Sequence, residues 1–345
     1  MRDEIVEERG LTPDNRADFI GAQIVDPYFC QLINQGNLTG GWLLTGPPGI
    51  GKATLAFRIA RGLFAYATGD TAQTGLQIEA ESQVFKLVAH HGHPDLAVIR
   101  RPYDEKAKRL KTVINVDEIH RAIASMRQTS STGARVVIID SADEMNRTAA
   151  NALLKFLEEP PADTLILLVS SAPGRLLPTI RSRCRNFALP RASDDAITSF
   201  LVDELDMSVQ DAKSIAAHAQ GRPGFALMLA AEDGVEAVLL RDQFFVETLS
   251  RGNVMSVADK FSGKAKDNAL RSFTQFVQSS LSDNARAIAA GEAAANADLA
   301  GYTPTQLLKA WSDVTDLTDR GLGLHMDKRH LVVSMSQTIR AALEG

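Results

Sequence analysis

The chain has 345 residues, of which 45% are hydrophobic and 23% are charged, and its formal net charge is −5. This length accommodates two or three domains and excludes a single small module, while the acidic balance argues against a protein that grips nucleic acid over most of its surface. Cys30 and Cys184 are the only cysteines, which excludes a disulfide framework and a four-thiolate zinc site.

Short apolar segments alternate with helical patterns between Gly41 and Pro190. This alternation predicts an α/β fold, with a parallel sheet joined by crossover helices. The segments are apolar throughout, which is typical of strands that are buried on both faces. The predicted strands are GWLLTG at 41–46, DLAVIR at 95–100, RVVIID at 135–140, TLILLVS at 164–170 and NFALP at 186–190.

Apolar residues at helical spacing predict two of the helices between these strands. One carries Val116, Ile119, Ile123 and Met126, and the other carries Ala150, Leu153, Leu154 and Leu157. Asn146 can cap the second helix, and Pro160-Pro161 forbid its continuation, so it is expected over 147–159. The polar segment 66–79 is expected to be a loop.

The strand patterns end near residue 190, and helical patterns fill the rest of the chain. We therefore expect an α/β domain at 1–190, a small helical domain at 191–233, and a helical domain of four or five longer helices at 234–345. The small domain should contain three short helices, in DDAITSFLVDEL, SVQDAKSIAAHAQ and PGFALMLAAE.

A glycine-rich segment follows the first predicted strand and opens a predicted helix: Gly46-Pro47-Pro48-Gly49-Ile50-Gly51-Lys52-Ala53-Thr54. In this context a GxxxxGK pattern indicates a phosphate-binding loop, or P-loop, and the alternative is a glycine-rich turn with a solvated lysine. The backbone amides and the helix N-terminus attract phosphate, and the lysine reaches the outer phosphates. The expected nucleotide-binding residues are Gly46, Pro47, Gly49, Gly51, Lys52, Ala53, Thr54 and, from a later strand, Asp140.

The chain departs from active ATPases at two positions, one after the P-loop lysine and one after Asp140. Ala53 follows the lysine where a Ser or Thr hydroxyl normally holds magnesium, and Thr54 lies one residue late, which rotates its side chain by about 100° on a helix. Asp140 can orient a magnesium-bound water, or is simply an acidic strand end. Ser141 follows it, and a hydroxyl cannot polarise an attacking water as the usual glutamate does. We expect ATP to bind without being hydrolysed, and we predict no metal ligands.

The tract from Asp117 to Arg185 carries the most specific pattern in the chain. RVVIIDSADEMNRTAANALLKFLEEPP, followed by LLVSSAPGRLLPTIRSRC, resembles bacterial clamp-loader subunits of the AAA+ fold. GHPDL at 92–96 and FIGAQ at 19–23 match the layout of the same family, so the resemblance covers about the first two thirds of the chain. It implies a AAA+ module, a lid at 191–233, and a collar at 234–345 that joins five subunits into a ring. That ring opens the sliding clamp of DNA polymerase III and places it on primed DNA.

Two subunit types of this family share the tract, and the departures favour the non-motor, delta-prime type. The gamma/tau motor keeps the metal-binding hydroxyl, the glutamate and a lid arginine. This chain has Ala53, Ser141 and, in GRPGFAL at 221–227, Gly224 at those positions. Arg222 lies two residues from Gly224 and could substitute in part for the lid arginine. The resemblance implies gamma/tau and delta as partner subunits.

Arg183 lies in the Ser-Arg-Cys motif, at Ser182 to Cys184. In the family that this chain resembles, this arginine projects into the ATP site of the adjacent subunit, where a planar, permanently charged guanidinium neutralises charge on the transferring phosphoryl group. The alternative is that Arg181, Arg183 and Arg185 pair with carboxylates of their own domain. Ser170 or Ser171 matches the position of a polar sensor in active relatives, or serves packing or capping, and Cys184 is expected to pack.

A zinc module is not expected. In many relatives it lies between the P-loop helix and the second strand, but residues 66–93 contain no cysteine. The spacing of His90, His91 and His93 is more typical of a solvated loop than of a metal site. No apolar run approaches the roughly 18 residues of a spanning helix, so we expect a cytoplasmic protein. Two functions remain as alternatives to a delta-prime-type subunit. One is a gamma/tau-type ATPase that uses Thr54 with Asp143 or Glu144, and the other is a stand-alone nucleotide-dependent DNA-binding regulator.

Overall fold

The computed structural model describes residues 11–69, 76–104, 109–110, 113–127, 130–230, 234–262, 267–291, 293–294, 296–323 and 326–344. Its contacts divide the chain into two units, one ending at Ala226 and the other beginning at Leu227. The three-domain division at 190/191 and 233/234 stays a prediction. No helix in these ranges is both long enough and apolar enough to cross a membrane.

The first unit is built on a five-stranded sheet in which all paired strands are parallel. The strand order is β2-β5-β6-β1-β7, with the P-loop strand β1 inside the sheet and β7 at one edge. A separate antiparallel pair is formed by β3 and β4. The strands are β1 Gly40–Thr45, β2 Leu96–Ile99, β3 Tyr103–Asp104, β4 Arg109–Leu110, β5 Arg135–Ile139, β6 Thr164–Ser170 and β7 Cys184–Ala188.

Helices cover both faces of this sheet and continue to the end of the unit. Those before residue 190 are α1 Ala22–Asn34, α2 Lys52–Ala67, α3 Gln83–Ala89, α4 Val116–Met126, α5 Arg147–Glu158 and α6 Pro178–Arg181. Three more follow, α7 Asp194–Leu205, α8 Val209–Ala219 and α9 Pro223–Ala230, the last of which crosses into the second unit.

The second unit contains helices and no strands among its described residues. It contains four longer helices and one short helix: α10 Gly234–Leu249, α11 Met255–Ala258, α12 Asp267–Ala289, α13 Pro304–Gly323 and α14 Lys328–Glu344. Phe244, Phe261 and Phe273 form edge and tilted ring contacts in its core. The predicted fold class, a parallel P-loop sheet followed by an all-α region, is confirmed.

Alternation along the strands creates two cores. Val136 and Ile138 of β5 face the core that includes α1 and α2, while Val137 and Ile139 face the core that includes α4 and α5. Successive strand residues point to opposite faces, so strands that are covered on both sides must be apolar at every position. This arrangement is the physical reason why the strands were recognisable as continuous apolar segments.

The five predicted strands and the predicted helices are present, with ends that shift by one or two residues. Asn146 caps α5 as expected, since its Oδ1 accepts a hydrogen bond from the Ala149 N–H at 2.8 Å. The predicted loop at 66–79 was wrong at its start, because α2 continues through Tyr66 to Ala67. Residues 70–75 of that loop, and 231–232 of the last predicted short helix, lie outside the described ranges.

The turn before β5 is held by the buried carboxylate of Asp95. Ser131 and Thr132 donate to it with both backbone N–H groups and both hydroxyls, at 2.6–3.2 Å. Burial by itself raises the pKa of Asp95, but these hydrogen bonds outweigh it and leave the pKa below its usual value. The Asp of the GHPDL motif therefore has a structural role here, which the motif alone did not reveal.

We predict that Asp95→Asn lowers the free energy of unfolding by ~1–3 kcal/mol at neutral pH, because an amide cannot accept all four donors. The folded-state pKa is depressed, so this stabilisation is present above the unfolded-state pKa of about 4 and is lost as pH falls through the lower folded-state pKa. Urea unfolding of both proteins at several pH values measures the difference. Asp203→Asn, which changes an exposed carboxylate on α7, is the control. A difference that stays constant down to strongly acid pH would contradict the role of the ionised carboxylate.

Candidate nucleotide site and exposed arginine

The P-loop connects the end of β1 to the start of α2. Gly46, Gly49 and Gly51 have φ values of 151°, 81° and 102°, which residues other than glycine rarely adopt. Lys52 is the first residue of α2 and is buried, and its Nζ donates to the carbonyl oxygens of Gly46 at 2.7 Å and Pro47 at 2.9 Å. The structure therefore places the predicted glycines and lysine together in one curled loop at the carboxyl edge of the sheet.

The first turn of α2 does not offer the hydroxyl that a magnesium site requires. Ala53 occupies that position, and Thr54 lies one residue further round the helix, about 100° away. Both residues are half-buried.

Asp140 follows β5 and lies beside an arginine rather than beside an open metal position. Its Oδ2 is 3.4 Å from Arg100 Nε. Burial raises the pKa of the Asp140 carboxyl, although the neighbouring Arg100 and Lys52 act in the opposite direction. Strand pairing explains this meeting, because Ile99 and Ile139 are partners in β2 and β5 and the Asp140 N–H donates to the Ile99 carbonyl at 2.9 Å.

The acidic residues that could replace the missing glutamate have other partners. Ser141 has φ 64° and starts a short 3-10 turn. Within that turn, Asp143 accepts a hydrogen bond from the Ser171 N–H at 3.2 Å, and Glu144 pairs with Arg101 at 2.8 Å. These contacts do not support Asp143 or Glu144 as ligands or bases for water. The donor set around the loop therefore does not fit a hydrated Mg²⁺ ion.

The two serines at the end of β6 differ in their surroundings. Ser170 is fully buried, and its Oγ has no hydrogen-bond partner among the described residues. It pairs in register with Thr45, the last residue of β1 before the P-loop. Ser171 is half-buried and holds Asp143 through its backbone N–H. Ser170 thus has a buried polar atom without a hydrogen-bond partner among the described residues, next to the P-loop strand.

The start of α9 lies directly against the P-loop. The Gly224 N–H donates to the Gly49 carbonyl at 2.7 Å, and a Cβ on Gly224 would lie 3.0 Å from the Gly49 Cα and carbonyl oxygen. A Cβ on Gly49 would lie 2.7 Å from the Phe225 nitrogen. Gly224 stands where the motor subunits have the lid arginine. Its backbone packs directly on the backbone of Gly49, and only glycine permits such a close approach.

Arg222 lies within the turn that precedes α9. It is 2% exposed, its Nε donates to the Ala219 carbonyl at 3.2 Å, and its guanidinium lies 4.0 Å from the centre of the Phe225 ring. These contacts bury the group beside its own helix ends. They give no support to the suggestion that Arg222 substitutes for the lid arginine.

Arg183 lies immediately before β7, the edge strand, at the amino end of the sheet. Its guanidinium pairs with Glu158 at 2.6 Å and donates to the Thr179 carbonyl at 3.1 Å, and its side chain is 37% exposed. Cys184 pairs with Gly41 and Ala188 pairs with Thr45, so the chain's own P-loop starts about 15 Å further along the strands. Arg183 and the P-loop lie at opposite ends of β1 and β7.

The other residues singled out from the sequence have structural contacts. Arg185 donates to the Asn37 carbonyl at 3.2 Å, and burial raises the pKa of the Cys184 thiol to about 12, which suits a packing residue. His93 stacks on Phe64 with 3.8 Å between ring centres, and His91 pairs with Asp14 at 3.0 Å. Within the described ranges, no three His, Cys, Asp or Glu residues are grouped so as to hold a metal ion.

Sequence reasoning missed Arg100, Asp14 and Glu158. Of these, Arg100 could most easily have been predicted, because Arg100-Arg101 lies at the end of one predicted strand and Asp140 lies at the end of another. Only the pairing of these two strands brings the charges together. No local signal marked Asp14 or Glu158.

We predict that Gly224→Arg lowers the free energy of unfolding by ~1–3 kcal/mol, because its Cβ meets the P-loop backbone and the loop must move. Gly224→Ala tests the Cβ alone and should already show a loss. Gly174→Ala is the control, since a Cβ there would meet nothing within 4 Å. Urea unfolding compares the four proteins, and a Gly224→Arg protein as stable as the wild type would contradict the contact.

The amino-acid sequence has recognisable relatives. Residues 23–193 match the family model described as DNA polymerase III, delta subunit. DNA polymerase III subunit delta′ of Pseudomonas aeruginosa is 40% identical over 161 residues, which cover 46% of each protein. Subunit delta′ of Escherichia coli is 32% identical over 197 residues, covering 56% of this chain and 55% of that protein. The chain thus spans about half the length of these curated relatives.

Among solved structures, a DNA polymerase III gamma subunit-related protein of Thermotoga maritima aligns with 91% of this chain and 98% of its own. Its TM-score is 0.39, and the sequences are 16% identical. The sequence matches, over the part of the chain that forms the P-loop sheet, establish the relationship. Through its residues 23–193, the chain is similar to the delta and delta′ subunits of DNA polymerase III.

Proposed function

We propose that this chain is a delta-prime-type subunit of a DNA polymerase III clamp loader, acting in the cytoplasm as a non-motor member of a ring with gamma/tau and delta subunits. In this role it supplies Arg183 to ATP held by a neighbouring motor subunit and does not hydrolyse ATP itself. The complex would load the sliding clamp onto primed DNA. The helices at 234–345 would form the collar that joins the subunits.

The observation that carries this proposal is the position of Arg183. It lies immediately before the edge strand β7, at the end of the sheet opposite the chain's own P-loop, and its carboxylate partner Glu158 is itself 47% exposed. Exposed ion pairs contribute only ~0.2–1 kcal/mol, so exchanging Glu158 for a phosphoryl group costs little. A guanidinium suits that exchange because it presents a planar fork of donors.

Replacing Arg183 by Ala should slow ATP hydrolysis and clamp loading by the reconstituted complex while leaving assembly intact. Loss of an arginine finger reduces hydrolysis by ~10³–10⁵ at the affected site in GTPases, although the other sites of a ring limit the loss for the whole complex. Arg183→Lys should restore activity only in part, because an ammonium lacks the fork. Steady-state phosphate release and clamp loading on primed DNA measure both effects.

Two controls separate a role in the neighbouring site from a structural one. Arg181→Ala removes a second exposed arginine of the same segment, and Glu158→Gln breaks the ion pair but keeps Arg183. Neither change should slow the complex. If Glu158→Gln reproduces the defect of Arg183→Ala, or if Arg183→Ala loads clamps at the wild-type rate, the proposed role is wrong.

A second candidate is an ATP-hydrolysing motor of the gamma/tau type, and the intact loop with Lys52 and Asp140 is the observation in its favour. We expect the isolated chain to release no more phosphate from ATP than Lys52→Ala. Ser141→Glu should also be inactive, because the hydroxyl missing at Ala53 is still absent. Phosphate release by the wild type above the Lys52→Ala level would favour the motor instead.

A further inference from the structure

The charges around Asp140 come from segments that are far apart in sequence. Arg100 follows β2 and Asp140 follows β5, and the pairing of these strands puts their side chains side by side at the carboxyl edge of the sheet. The P-loop, which follows β1, opens at the same edge, because the strands are parallel. Arg100 therefore lies at the same edge of the sheet as the P-loop, and its guanidinium contacts Phe57 of α2, the helix that the P-loop opens.

Arg100 is held in place by three contacts. Its Nε is 3.4 Å from Asp140 Oδ2, a second nitrogen of the guanidinium donates to Asp14 Oδ2 at 3.1 Å, and the group lies 5.2 Å from the centre of the Phe57 ring. Phe57 is fully buried in α2, and Asp14 is fixed in turn by His91 at 3.0 Å. The guanidinium is thus positioned before any ligand binds. A charged side chain that is already held in place loses less conformational entropy when a ligand binds than one that must first be ordered.

Among the residues that the structure describes, each position that a magnesium ion would use is already paired or lacks its donor. Asp140 already has a cationic neighbour, Ala53 has no hydroxyl, and Glu144 pairs with Arg101. A divalent cation next to Asp140 would also meet the repulsion of Arg100 at close range. The positive charge that the phosphates need is nevertheless present, on Lys52 and Arg100.

We propose that this P-loop binds the phosphate groups of a nucleoside triphosphate without magnesium, with Arg100 supplying the positive charge that the metal supplies in other P-loop proteins. A guanidinium neutralises phosphate oxygens through charge-assisted hydrogen bonds and needs no hydration shell. Such a site holds the metal-free anion and gives no Lewis acid for hydrolysis. The proposal concerns the chain's own P-loop and does not depend on Arg183 or on ring assembly.

Isothermal titration of the 345-residue chain with ATP, once with Mg²⁺ and once with excess EDTA, tests this proposal. The affinity in EDTA should lie within about threefold of that in Mg²⁺, a difference of less than 1 kcal/mol. Arg100→Met should weaken binding in EDTA about tenfold or more, and Arg100→Lys less, since it keeps the charge. Arg121→Met is the matched control, because Arg121 is 71% exposed and pairs within its own helix α4 with Glu118.

A double variant gives a second readout. Arg100→Met combined with Ala53→Thr frees Asp140 and restores the hydroxyl, so Mg²⁺ should now tighten binding by about tenfold. Thermal unfolding confirms that each variant is folded. The proposal is overturned if the wild type binds ATP about tenfold more tightly with Mg²⁺ than in EDTA, or if it binds ATP under neither condition. Both outcomes leave the assembly and Arg183 tests unaffected.

Discussion

The candidate site depends on the burial of helix α2. Eleven of its sixteen residues are buried, among them Lys52, Arg58 and Arg61, so the helix is enclosed on more than one face. Arg58 forms two hydrogen bonds to Asp26 of α1, at 3.0 and 2.6 Å, and Arg61 donates to the carbonyls of Asp14 and Arg16. Buried charges of this kind are tolerated only when they are fully paired. The two arginines thereby fix the segment that brings Asp14 to Arg100.

Electrostatics at the carboxyl edge follow from that placement. Arg100 contacts Phe57 of α2 and lies between Asp14, which precedes α1, and Asp140, which follows β5. A P-loop protein that depends on a metal leaves its acidic strand end available for the metal's water ligands. Here the same carboxylate has a guanidinium beside it. Ala53 thus offers no metal-binding hydroxyl, and Asp140 has a guanidinium beside it from a residue distant in sequence.

The parallel sheet separates two chemistries on one scaffold. Loops after the strands gather at one edge, which carries the P-loop, and the segment before β7 lies at the other edge, which carries Arg183. The edge position of β7 leaves this arginine at the surface, where its partner Glu158 is also exposed. The P-loop and the exposed Arg183 can thus belong to the same domain without competing for the same space.

The sequence by itself determined the strands, the longer helices and the P-loop, because continuous apolar segments, helical periodicity and GxxxxGK are local patterns. It also located Ala53, Ser141, Gly224 and Arg183 as the informative positions. Only the tertiary structure decided the contacts of the site residues: Arg100 lies beside Asp140, Gly49 packs against Gly224, and Glu158 pairs with Arg183. Each of these contacts joins residues from different elements. Strand order and helix packing set such contacts, and no local pattern encodes a distance between segments that meet only in the fold.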